Sequence, residues 1–107
     1  MTTRYARFNL QLVMPAKASV ITDWHQQLHD AAIEGCADDF EVFYNEDSSV
    51  IGVSVPYEIN DEMSLLEAGL VLGYCTKYYE DNSDADIFSH VWCSLHEADG
   101  TVVQSLI

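Results

Sequence analysis

Cations are what this sequence has least of. Four Lys and Arg stand against 18 Asp and Glu, for a formal net charge of −14 and an isoelectric point near 4.1. Nucleic acid and anionic lipid are held mainly by basic side chains, so unaided binding to either is disfavoured. Long apolar runs are missing as well. The longest, residues 68–75, is eight residues with two glycines in it. A bilayer span needs about 20, so no membrane partner is expected. Cysteine is limited to Cys36, Cys75 and Cys93, widely spaced and without a C-x-x-C pair. That argues against a disulfide framework, structural zinc and dithiol redox chemistry, and for reduced thiols in a cytoplasmic protein. With five glycines and two prolines, the chain has no linker, low-complexity tract, phosphate-cradling glycine loop or nucleophile elbow.

What is present is enough for one core. The 107 residues are 49% hydrophobic with a mean hydropathy of −0.02, which fits a single globular domain over 1–107 and not a disordered chain. Charge is unevenly spread. Residues 1–22 hold Arg4, Arg7 and Lys17 and no acid, whereas residues 23–107 hold every acid and only Lys77. A basic start raises the question of a secretory signal. Residues 7–14 alternate polar with apolar where a signal core is continuously apolar, so none is expected.

That alternation places Phe8, Leu10, Leu12 and Met14 on one face of a half-buried strand ended by Pro15. From Ser19 the period turns helical, with Ile21, Trp24, Leu28, Ala31 and Ala32 on one face and Gly35 as the stop. Residues 40–44 and 50–57 read as a hairpin. A second helix is expected from Asn60 or Ser64 to about Tyr79, with Ser64 and Glu67 at capping-box spacing. Leu66, Leu70, Tyr74 and Tyr78 are its expected buried face, and Gly69 and Gly73 its close-packing positions against the sheet. Residues 87–95 form a fourth strand, and Ala98-Asp99-Gly100 turns the chain into a last one over 101–106. The order predicts an α+β fold: a ferredoxin-like βαββαβ sandwich with an extra C-terminal strand, its antiparallel sheet carrying two helices on one face.

In that topology the loops fall at two ends, and the acids follow them. One end is expected to collect Glu34, Asp38, Asp39, Glu58, Asp61, Glu62, Glu97 and Asp99 with no base. The other collects Glu46, Asp47, Glu80, Asp81, Asp84 and Asp86, partly offset by Lys17 and Lys77. Duplex DNA carries about one charge per 1.7 Å, so 14 charges match roughly 24 Å of duplex, a length close to that of a domain this size. In charge and size, over the whole chain and without a shared motif, the sequence resembles the small phage- and mobile-element proteins that imitate DNA to disable host nucleases, anti-restriction and anti-CRISPR proteins among them.

The resemblance implies a non-enzymatic inhibitor that blocks the nucleic-acid-binding groove of a basic protein or nuclease complex. The expected contacts are Asp38, Asp39, Glu58, Asp61, Glu62, Glu97 and Asp99, with Glu80, Asp81, Asp84 and Asp86 at the second pole, each facing Lys or Arg in place of a phosphate. The plain reading of the same acids is solvation and ordinary turn chemistry.

A second expectation concerns the sheet face away from the helices. Arg7, Asn9 and Gln11 point there, joined by Phe43 or by Phe88, His90 and Trp92, which makes a candidate contact surface for a partner or for a homodimer. His25 and His29, four apart on a helix, have metal-ligand spacing, with Cys36 or Asp38 as a conceivable third ligand. Residues 80–86 lack the glycine and distal glutamate of an EF-hand loop. No cofactor and no metal are expected.

Overall fold

The computed structural model describes residues 3–13, 17–35, 39–82 and 87–105. The chain runs β1 (Thr3–Leu12), α1 (Ala18–Glu34), β2 (Glu41–Asn45), β3 (Val50–Glu58), α2 (Glu62–Asn82), β4 (Phe88–Glu97) and β5 (Val102–Ser105). The five strands form one antiparallel sheet in the order β2-β3-β1-β4-β5. Each helix therefore links two parallel strands across a third that lies between them. The fold is α+β, as the element pattern predicts.

The inward face of β1 is Ala6, Phe8, Leu10 and Leu12. It packs with Ile51, Val53, Val55 and Tyr57 of β3 and with both helices in one core. α1 buries Trp24, Leu28, Ala31 and Ala32, the face its period predicts. It ends at Gly35, whose N–H donates to Ala31 O. A Cβ at Gly35 would come within 2.9 Å of Val71 Cα, so this glycine lets the end of α1 lie against the middle of α2. Met14, Pro15 and Cys36 lie outside the described residues.

α2 departs from expectation in two ways. Its buried residues are Ala68, Val71, Leu72 and Cys75, while Leu66, Leu70 and Tyr74 are exposed; of the expected face, Tyr78 alone packs inward, edge-on to Trp24. Both stripes are apolar at helical spacing, so periodicity alone does not choose between them. The small Ala68 and Cys75 win because they let the helix lie close to α1 and the sheet. Gly69 and Gly73 consequently face open space, with nothing near a built Cβ at either, and close packing falls to Gly35 instead. The helix start also differs. Asp61 is the cap, its Oδ1 accepting from Ser64 N–H at 3.2 Å, and Ser64 Oγ accepts from Glu58 N–H at 3.0 Å. No capping box forms between Ser64 and Glu67.

β4 carries a bulge. Gln11 pairs with His90 but Leu12 with Phe88, which leaves Ser89 unopposed and reverses the side-chain parity. Phe88 is thereby turned into the core against Trp24 and Tyr79, correcting its expected place on the outer face, while His90 and Trp92 stay outside. Asn9 is outward yet buried. Its Nδ2 donates to Trp92 O and to Ser94 Oγ, at 3.2 and 3.0 Å. Ser94 Oγ lies 2.6 Å from His96 Nε2, and His96 Nδ1 lies 3.1 Å from Gly100 O. The chain of contacts ties the sheet centre to the last turn, where Gly100 takes φ +93°.

Candidate acidic docking site

Strand register builds the first acidic pole. Thr3 pairs with Glu58 and Arg4 with Glu97, so the ends of β3 and β4 place their glutamates on either side of the start of β1. Arg4 Nη2 lies 3.0 Å from Glu97 Oε1, and this partner raises the guanidinium pKa further. The pole is therefore not free of bases, as loop positions alone implied: the register brings Arg4 to it, and Glu97 is occupied. Thr3 Oγ1–H donates to Glu58 Oε1 at 2.8 Å, whereas Glu58 Oε2 is buried with no hydrogen-bond partner. A buried acceptor left unmatched is costly.

Glu58 lines an open cleft of about 650 Å³ together with Asp39 and Glu41. A neighbouring groove joins Glu58 to Asp61 and Glu62 beside Arg4 and Leu65. The structure thus unites Asp39, Glu58, Asp61 and Glu62. It adds Glu41, which lies in the 40–44 strand and on edge strand β2 stands opposite Ser54; its place two residues after Asp39 is the signal the sequence carries. Asp61 is engaged as a helix cap, and Asp99 Oδ1 accepts from Thr101 N–H at 2.9 Å in the last turn, which holds its carboxyl below the usual value. Asp39, Glu41 and Glu62 make no hydrogen bond or ion pair with another described side chain.

At the other pole Glu80 and Asp81 are exposed in the last turn of α2. A helix C-terminus carries partial negative charge, so carboxylates there are unfavourable by about 0.3–1 kcal/mol each at low salt. α1 repeats the inversion, with Lys17 at its N-cap and no base in its last turn. Asp38, Asp84 and Asp86 lie outside the described residues.

The histidine pair does not converge. His25 is exposed, and the His29 ring stacks obliquely on Phe40 at 5.2 Å. Among the described residues no three His, Cys, Asp or Glu side chains are placed to hold a metal ion. Cys75 is buried in the core and Cys93 half-buried, both as free thiols. Burial pushes the Cys75 pKa up to about 12 and raises that of Cys93. No described helix is long and apolar enough to cross a membrane.

These features define an α+β protein with a five-stranded antiparallel sheet and an acidic cleft at one end. No protein-family model matches the chain, and no curated protein or solved structure is detectably similar to it.

Proposed function

We propose that this is a small, non-enzymatic acidic inhibitor, acting in the cytoplasm, that docks its carboxylates on the basic groove of a nucleic-acid-binding protein or nuclease complex. A phage or mobile-element origin and an anti-CRISPR or anti-restriction target are the settings such an inhibitor fits. The observation that carries the reading is the cleft shared by the three acids Asp39, Glu41 and Glu58. A Lys or Arg side chain entering that cleft meets three acids at once. The acids at the end of α2 support it, since they stand where the helix dipole opposes them.

The charge comparison with DNA is looser in three dimensions. Fourteen net charges along a 40 Å long axis come to about one per 3 Å, roughly half the linear density of duplex DNA. Mimicry therefore rests on local clusters and not on the average. We read the fold as a ferredoxin-like βαββαβ core with β5 added at one edge, supported by the two crossover helices and by β1 lying between β3 and β4.

The test is capture of host proteins at low salt, elution by a salt gradient and competition with duplex DNA. A nucleic-acid-binding protein displaced by DNA is expected. The triple variant D39N/E41Q/E62Q should bind it more weakly, chiefly through a slower on-rate and a flatter salt dependence. Equal affinity of that variant at low salt would sink the reading.

A second reading places the contact on the outer sheet face, in a partner-binding module or a homodimer. One observation favours it: the Arg7 guanidinium lies 5.3 Å from the Phe43 ring centroid, and its Nε is buried without a partner. Phe43→Ala or Trp92→Ala would then abolish association while the acid substitutions leave it intact.

A further inference from the structure

α2 has a second apolar face that covers nothing in the monomer. Met63 is 65% exposed, Leu66 65%, Leu70 53% and Tyr74 40%. These four follow each other at steps of three or four residues, which makes a stripe on a helix, with the exposed Glu67 along its edge. A helix apolar on both sides belongs in an interior. The four side chains together expose on the order of 400 Å², comparable with the largest apolar patch on a typical monomer, about 300–600 Å², which is often functional.

We infer that this stripe is the seam of a homodimer, in which α2 packs antiparallel against α2 of a second copy. The charge on the helix selects that occupant. Lys77 is the only cation in residues 18–107. It continues the stripe, three residues after Tyr74 and seven after Leu70, and makes no ion pair with a described residue. Glu62 sits at the opposite end of the same helix.

In a two-fold arrangement centred on Leu70, position 77 of one copy falls opposite position 63 of the other, beside Glu62. Leu66 falls opposite Tyr74. The two-fold axis repeats each pair, as an isologous interface requires. Gly69 and Gly73 leave notches between the large residues where the facing helix approaches closely. Each stripe supplies about half of the roughly 800 Å² per partner of a standard interface, and the flanking Glu62, Gly69, Gly73 and Lys77 add to it.

This inference does not depend on the acidic docking reading, and salt separates the two. Two copies of net charge −14 repel, so the dimer tightens as salt screens them, whereas carboxylate docking on a basic partner weakens. The experiment is sedimentation equilibrium of the purified chain at low and high salt. A concentration-dependent dimer that tightens with salt is expected. Leu70→Glu should weaken it at least a hundredfold without loss of the circular dichroism spectrum. Lys77→Glu should weaken it about tenfold, and adding Glu62→Lys should restore it. A monomer at every concentration in high salt would overturn the proposal, as would a dimer indifferent to Leu70→Glu or a Lys77→Glu defect that Glu62→Lys leaves unrepaired.

Discussion

α1 and α2 lie side by side on one sheet and use apolar residues differently. α1 buries Trp24, Leu28, Ala31 and Ala32 and keeps Asp23, Gln26 and Asp30 outside. α2 buries Ala68, Val71, Leu72 and Cys75 and leaves Met63, Leu66, Leu70 and Tyr74 in solvent. In the first helix hydrophobicity reports the core directly. In the second, two apolar faces compete, and the one that goes inside carries the small Ala68 and Cys75 beside Val71 and Leu72. Residues left over from that choice are then free to serve contact instead of folding.

The largest test of this contrast is a matched truncation. Leu28→Ala should cost about 2–5 kcal/mol in denaturant unfolding, from lost burial and the cavity left behind. Leu70→Ala, measured at concentrations low enough to keep the chain monomeric, should fall within about 0.5 kcal/mol of the parent. Equal losses at the two positions would erase the distinction between the helices.

Glycines sharpen it next. Gly35→Ala drives a methyl against the backbone of Val71 and should destabilise by about 1–3 kcal/mol. Gly69→Ala meets open space and should instead stabilise the monomer by roughly 0.5–1 kcal/mol through helix propensity. Opposite signs in thermal melts are the expected outcome.

Thiols offer a smaller effect at the α2 core face. Cys75 holds its proton to about pH 12 when folded, against an ordinary value of 9.0. Between those pH values the unfolded chain loses a proton that the folded chain retains, so stability declines as pH rises through that window. Cys75→Ala should flatten the decline, and iodoacetamide at neutral pH should leave Cys75 unmodified until the protein is unfolded. The smallest effect lies in the last turn. Asp99, with its pKa lowered by Thr101 N–H, supports the β4–β5 turn above its ordinary range and releases it as pH falls through the lowered value. Asp99→Asn should remove that acid sensitivity from the amide chemical shift of Thr101.

The single-period elements were legible in the sequence. β1 alternates cleanly, α1 has one apolar stripe, and the hairpin strands are bounded by polar turn residues, so their faces and ends follow from local rules. Three features were not. The inner face of α2 depends on which of two stripes fits against α1. The position of Phe88 depends on the bulge at Ser89, which exists only in the pairing with β1. The pairing of Arg4 with Glu97 spans 93 residues and depends on strand register. Much of the candidate site was visible as a surplus of carboxylates, but not which of them share a cleft: Glu41 joins Asp39 and Glu58 through tertiary placement, and Asp61 is diverted to capping.

The central position of β1 has a consequence for how the protein is made. The strand leaves the ribosome well before one of its neighbours, β4, which begins only at Phe88. At about 5–20 residues per second, translation separates the two by several seconds. Through that interval the row of Phe8, Leu10 and Leu12 has no complete sheet to enter, so the native sheet closes only after β4 has been made. Such long-range pairing is slow, and the nascent chain is then most open to chaperone capture or to aggregation through β1.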